Sequence, residues 1–246
     1  MPRAAIVTGG SRGIGAATCI SLAARGYDVA FTYRNKAARA ADVAAEAERA
    51  GVRALAVRAD ITVAQDVARL GAELTAWTDA LDLIVLNASG GLERDIIAQD
   101  PDYPMRINRD AQLAVVDALL PLLHPPATIV HVTSHWAHRY GAVRQLPAYE
   151  PVARSKHAGE EALRARVADL GIHGVRLLVV TGDLVEGTIT ARLLERASPG
   201  LAATRAGVAI TPRAVAEAIV GAAGDRRLAS GATVVVGGAL EALERG

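Results

Sequence analysis

The sequence predicts a doubly wound α/β domain: a mostly parallel, seven-stranded sheet with helices on both faces. Three observations predict it. Short apolar runs alternate with longer amphipathic stretches along the chain, the rhythm of βαβ units. The runs are near-continuously apolar, as strands covered on both faces are. A glycine-rich turn, Thr8-Gly9-Gly10-Ser11-Arg12-Gly13-Ile14-Gly15, separates the first apolar run from the first helical pattern.

Taken in order, the apolar runs place strands at 4–8, 28–33, 53–58, 83–86, 128–133, 174–180 and 233–236. Helical patterns lie between them, near 14–25, 36–50, 63–78, 105–123, 153–170 and 212–223. The last opens on Thr211-Pro212, an N-cap followed by proline at the first helical position. No repeat or linker divides the chain, so 1–246 reads as one domain. In such sheets ligands bind beyond the carboxyl ends of the strands, and the residues of interest follow strands.

Composition narrows the class. The 246 residues are 51% hydrophobic, with net charge +1. No basic stripe marks a nucleic-acid partner, and no apolar run approaches the roughly 20 residues of a membrane helix. The first strand begins almost at once, leaving no room for a signal peptide. Cys19 has no partner cysteine and reads as a small core residue in a reduced, cytoplasmic setting. Only Lys36 and Lys156 among the 27 basic residues are lysines. Against so arginine-rich a background, a retained lysine points to chemistry that arginine cannot supply.

The glycine turn carries the first functional reading. Gly9 suits a tight turn, Gly13 lets backbone approach a pyrophosphate, and Gly15 lets helix and strand pack closely. With Ser11, Arg12 and Ile14 they form a loop ending at a helix N-terminus, whose free N–H groups favour phosphate. The strand-turn-helix context favours dinucleotide binding over an ordinary loop. After the second strand comes Tyr33-Arg34-Asn35-Lys36, with no acid to bind a ribose 2′-hydroxyl. Arg34, with Arg12 and Lys36, suits a 2′-phosphate, which points to NADPH.

The spacing Thr-Gly-x-x-x-Gly-x-Gly resembles the short-chain dehydrogenase/reductase family, and the resemblance extends over most of the chain. It implies a Rossmann-type fold and assigns further residues. Asp60, before Ile61, would touch the adenine amine. Asn87-Ala88-Ser89-Gly90 resembles the family's Asn-Asn-Ala-Gly and would lie against the cofactor ribose. Ser134 would hold the substrate oxygen, Lys156 would bind the nicotinamide ribose, and Asn108 would support a water near Lys156. Thr188 would reach a cofactor phosphate.

The chain departs from the pattern at two places. The family tyrosine, four residues before the lysine, is Val152 here, and valine donates no proton. After the sixth strand, Thr181-Gly182-Asp183 replaces the usual Pro-Gly. Tyr149 stands seven residues before Lys156, a spacing that resembles enoyl-thioester reductases of the same superfamily. Pro151 sets the helix start near itself, so Tyr149 lies just before the helix and need not face Lys156. Tyr140, His135 and His138 are the other proton-donor candidates. His135 and His138 lack a third ligand, so no metal is expected.

The expectation is an NADPH-dependent reductase of a C=O group, a ketoreductase that the Ala/Arg-rich composition fits to polyketide-like metabolism. Two alternatives stay open: an enoyl-thioester reductase using Tyr149 and Lys156, and an inactive NADPH-binding sensor or scaffold. The substrate would be a small molecule, free or carrier-bound, under a lid around 186–210. A homotetramer or homodimer would form through the helices near 105–123 and 153–170.

Overall fold

A computed structural model describes residues 3–204, 210–238 and 240–243. In chain order the elements are β1 (Arg3–Val7), α1 (Gly13–Ala23), β2 (Tyr27–Tyr33), α2 (Ala37–Glu48), β3 (Ala54–Arg58), α3 (Ala64–Trp77) and β4 (Leu81–Leu86). Then come α4 (Arg94–Gln99), α5 (Tyr103–Met105), a π-helical turn (Arg106–Asp110), α6 (Ala111–Leu119), a 3-10 turn (Leu120–Leu122), β5 (Leu123–Ser134) and α7 (His135–His138). The remainder is α8 (Glu150–Arg164), α9 (Val167–Ile172), β6 (Val175–Gly182), α10 (Ile189–Ala197), α11 (Leu201–Thr204), α12 (Pro212–Gly224), β7 (Thr233–Val236) and a last 3-10 turn (Leu240–Leu243).

The seven strands form one sheet in the order β3-β2-β1-β4-β5-β6-β7, and every neighbouring pair is parallel. Successive strand side chains point to opposite faces, which explains why the runs are apolar throughout. In β1, Ala4 and Ile6 join one core layer with Leu70, Leu74, Val115 and Leu119. Ala5 and Val7 join the other with Leu22, Val43, Val215 and Ile219. The strand order reverses between β1 and β4, which opens a crevice beyond their carboxyl ends.

Helix boundaries differ more from expectation than strands do. The pattern at 105–123 is not one helix. It widens into the π-helical turn at Arg106–Asp110 and closes as a 3-10 turn containing Pro121. The pattern at 153–170 starts earlier, at Glu150, and breaks between α8 and α9. The expected lid at 186–210 is helical at α10 and α11, and its residues 205–209 lie outside the described residues. Leu194 of α10 is buried against a third apolar cluster that contains Trp136, Tyr149 and Val152.

The π-helical turn seats against α8 at Gly159. A Cβ added there would lie 2.1 Å from the Asn108 carbonyl oxygen. Alanine is the better helix former by about 1 kcal/mol, yet overpacking at such a contact costs about 1–3 kcal/mol. Gly159→Ala is therefore expected to lower stability in chemical denaturation, against the helix-propensity trend.

Candidate active site

A cavity of about 570 Å³ runs along the carboxyl edge of the sheet. Of the residues that the sequence assigned to cofactor or chemistry, all line it except Asn108 and the alternative donor candidates Tyr140, His135 and His138. At one end the glycine turn meets α1. Gly13 has a φ of +54°, in the left-handed region that glycine adopts without a Cβ clash. A Cβ on Gly15 would sit 2.3 Å from the Gly9 carbonyl oxygen, so turn and helix touch backbone to backbone. The Asn87 side-chain amide donates to the carbonyls of Thr8 (2.9 Å) and Gly9 (3.3 Å). The Asn87 and Ala88 N–H groups donate to Thr8 Oγ1. Asn87 thus fastens the end of β4 to the turn and presents its backbone to the cavity.

A basic wall closes that end. Arg34 donates to the Tyr103 hydroxyl at 2.8 Å and lies 3.9 Å from Asp60. Burial lowers the Arg12 pKa; Glu93 opposes the shift, and the neighbouring cations Arg39, Arg34 and Arg192 add to it. Lys36 and Arg39 also line the wall. Arg39 escaped the sequence reading, although it stands one turn after Lys36 at the start of α2. Asp60 Oδ1 accepts from the Thr62 N–H and hydroxyl, and Ile61 forms the neighbouring cavity floor. Thr188 caps α10: its hydroxyl donates to the Val185 carbonyl at 2.7 Å and accepts from the Ala191 N–H. Its methyl faces Gly13 across the cavity.

The other end brings two hydroxyls together, those of Ser134 and Tyr149. Ser134 ends β5 and caps α7. Tyr149 is the N-cap of α8 and is 4% exposed. Its hydroxyl donates to Ser134 Oγ at 2.9 Å, and its ring packs edge-on against Trp136. Tyr149 lies just before α8, as Pro151 implied, and lines the cavity together with Lys156. Burial pushes the Tyr149 pKa up to about 12, and the Ser134 bond opposes that only in part. Lys156 is 8% exposed. Burial pulls its pKa down to about 8, with Glu160 pulling the other way. Val152 lines the cavity close to Gly91.

Four expected roles do not match the geometry. Asn108 lies outside the cavity lining, and its side chain is spent on the framework. It donates to the Gly90 carbonyl (2.9 Å) and Ser155 (3.0 Å), and accepts from the Ser89 hydroxyl (2.8 Å). Tyr140 donates instead to Glu150 at 2.6 Å. His135 is held between Thr181 and the Gly238 carbonyl, and His138 pairs with Glu160 at 2.7 Å. None of these three donor candidates lines the cavity.

The comparisons with known proteins bear on the family and the fold. The chain is 29% identical to 1-cyclohexenylcarbonyl-CoA reductase of Streptomyces collinus over 74% of its length, and the match spans 64% of that relative, less than two thirds. A short chain dehydrogenase from Burkholderia cenocepacia J2315, solved in complex with NADP, superimposes with a TM-score of 0.82 at 28% identity. That likeness covers 97% of this chain and 98% of the other. The angucycline C-6 ketoreductase LanV with bound NADP superimposes at 0.80 with 27% identity, covering 95% and 93%. The family model described as short chain dehydrogenase matches residues 3–197. That span runs from β1 through α10 and includes the glycine turn, Ser134, Tyr149 and Lys156; the chain belongs to the short-chain dehydrogenase family.

Proposed function

We propose that the protein is an NADPH-dependent reductase acting on the carbonyl group of an apolar organic molecule. The observation that carries the reading is the Tyr149 hydroxyl on Ser134 Oγ, 2.9 Å apart within the cavity that Lys156 also lines. Two hydroxyls converging on one point suit one substrate oxygen. Raised to about 12, the Tyr149 phenol stays protonated near neutral pH, which is the form that reduction consumes.

The residues fit a nicotinamide dinucleotide on the structure's own terms. The glycine turn leaves a cradle that a Cβ would fill, and the N-terminus of α1 suits a pyrophosphate. Arg34, Arg12, Arg39 and Lys36 supply charge for a 2′-phosphate, the feature of NADPH. The solved neighbours with bound NADP support the same cofactor. When bound, the nicotinamide supplies the hydride. Lys156 holds the ribose, Ser134 orients the substrate oxygen, and Tyr149 gives that oxygen its proton. Asn108 acts indirectly, tying the loop after β4 to α8 through Gly90 and Ser155. Trp136, Leu92, Val152 and Leu184 make the substrate end apolar. The reading includes a cytoplasmic homodimer or homotetramer, with α10 as part of the substrate lid and the substrate free or carrier-bound. No helix among the described residues is long and apolar enough to cross a membrane.

A second reading keeps one specific support. The seven-residue spacing from Tyr149 to Lys156, with a relative named 1-cyclohexenylcarbonyl-CoA reductase, favours reduction of a conjugated thioester. There Tyr149 would polarise the thioester carbonyl. The inactive-protein alternative rested on Val152, and a tyrosine on Ser134 weakens it. An assay following NADPH consumption separates these readings. Cyclic and aryl ketones are expected to turn over, and NADPH to outperform NADH by about tenfold or more, the worth of one charge-assisted hydrogen bond. Turnover confined to crotonyl-type thioesters would select the second reading, and no turnover with either class would select the third.

A further inference from the structure

Behind the reactive hydroxyls lies a buried ionic cluster that the reaction as described leaves unused. Of the α8 acids, Glu160 alone is buried, at 2% exposure. It stands four residues after Lys156, and residues so spaced share a helix face. Its Oε1 accepts from Arg164 Nε at 2.9 Å and from His138 Nδ1 at 2.7 Å. Its Oε2 is buried with no hydrogen-bond partner among the described residues, as are both ring nitrogens of His131 on β5. A carboxylate is sealed away at real cost unless opposite charge repays it. Arg164 and His138 both act through Oε1; Lys156, buried one turn earlier on the same face, forms no direct ion pair with the carboxylate and is reached through its field.

We propose that Glu160 is a positioning residue, whose carboxylate keeps the Lys156 ammonium charged and thereby keeps it able to hold the cofactor ribose. The inference rests on the NADPH reading above and deepens it. Burial favours a neutral Lys156, and Glu160 opposes that. The other titratable groups brought against this stretch do not substitute. His131 is kept neutral by burial, its pKa pulled down to about 3. Tyr149 and, from α5, Tyr103 are held protonated by burial. Arg164 is itself a cation. Arg109, half-buried, and Asp110, exposed, of the π-helical turn pair with each other at 2.6 Å. Asp183, buried after β6, accepts from the Leu184 N–H, and Glu160 rather than Asp183 opposes the shift of Lys156.

The test is NADPH binding by fluorescence titration across pH, which needs no substrate. Wild-type affinity is expected to fall as pH rises through about 8, where Lys156 loses its proton. In Glu160→Gln that alkaline limb is expected about one pH unit lower, a tenfold weaker binding at about pH 9 with affinity at about pH 6 unchanged. Gln keeps the shape and an acceptor for Arg164. Glu160→Met keeps the volume and drops the hydrogen bonds. If charge is what matters, both neutral variants shift the limb alike, and Glu160→Asp leaves it near the wild-type position. A limb unmoved in either neutral variant that folds, or moved as far by Asp as by Gln, overturns the proposal. Wild type binding no NADPH at any pH overturns the cofactor reading and this inference with it.

Discussion

Tyr149→Phe is expected to lower kcat by about 10²–10⁴-fold, the worth of a positioned general acid, while NADPH still binds. The ring remains, so the edge-on contact with Trp136 and the burial of the side chain are kept. What is lost is one hydrogen bond to Ser134, a stability cost of about 1 kcal/mol. Ser134 still accepts from the Ala137 N–H, so its hydroxyl stays in place. The pH profile distinguishes the two ionisable groups of the site. The phenol pKa is raised, to about 12, so Tyr149 remains a competent donor throughout the neutral range. The alkaline limb near 8 belongs to Lys156 and is expected to persist, at lower amplitude, in Tyr149→Phe. A loss of less than tenfold would mean that the proton comes from elsewhere. The carbonyl reading would then lose the observation that carries it.

The sheet was legible because each strand is buried on both faces, which writes its position into the sequence as an unbroken apolar run. The glycine-rich end of the cavity was legible for a similar reason: Gly13 and Gly15 answer to local backbone geometry, and Arg34 and Asp60 directly follow strands. The catalytic end was not local. His135 is held by Thr181 and Gly238, and His138 by Glu160, and no sequence spacing announces partners that far along the chain. Asn108 was placed on a continuous helix, whereas the widened turn directs its side chain into the framework beside Gly90 and Ser155. Tyr149 shows both sides. Its place before the helix was readable from Pro151, and its burial rests on Ser134 and Trp136, which no local spacing announces. The stretch at 186–210 read only as polar, because Leu194 is the one residue of α10 that is fully buried, with no long apolar stripe to announce a helix.

Lys156→Met is expected to abolish turnover and to stabilise the protein. The lysine's folded pKa of about 8 lies below its unfolded value near 10.5, so the fold holds the ammonium against its preference for water. With each pKa unit worth about 1.4 kcal/mol, the cost is about 3 kcal/mol. The sign follows from proton counts. Below about pH 8 the lysine is charged in both states and the full cost is present. Between about 8 and 10.5 the unfolded chain binds more protons, so wild-type stability rises with pH and the cost fades. Methionine fills the same volume without a charge. Its advantage in chemical denaturation is therefore expected to be largest near neutral pH and to vanish by about pH 10.5. A buried lysine kept at such a cost, in a chain that has only one other, is what selection for ribose binding rather than for stability would leave. If the variant is no more stable at neutral pH, the ammonium is already well solvated in the fold, and Lys156 would carry no strain for Glu160 to relieve.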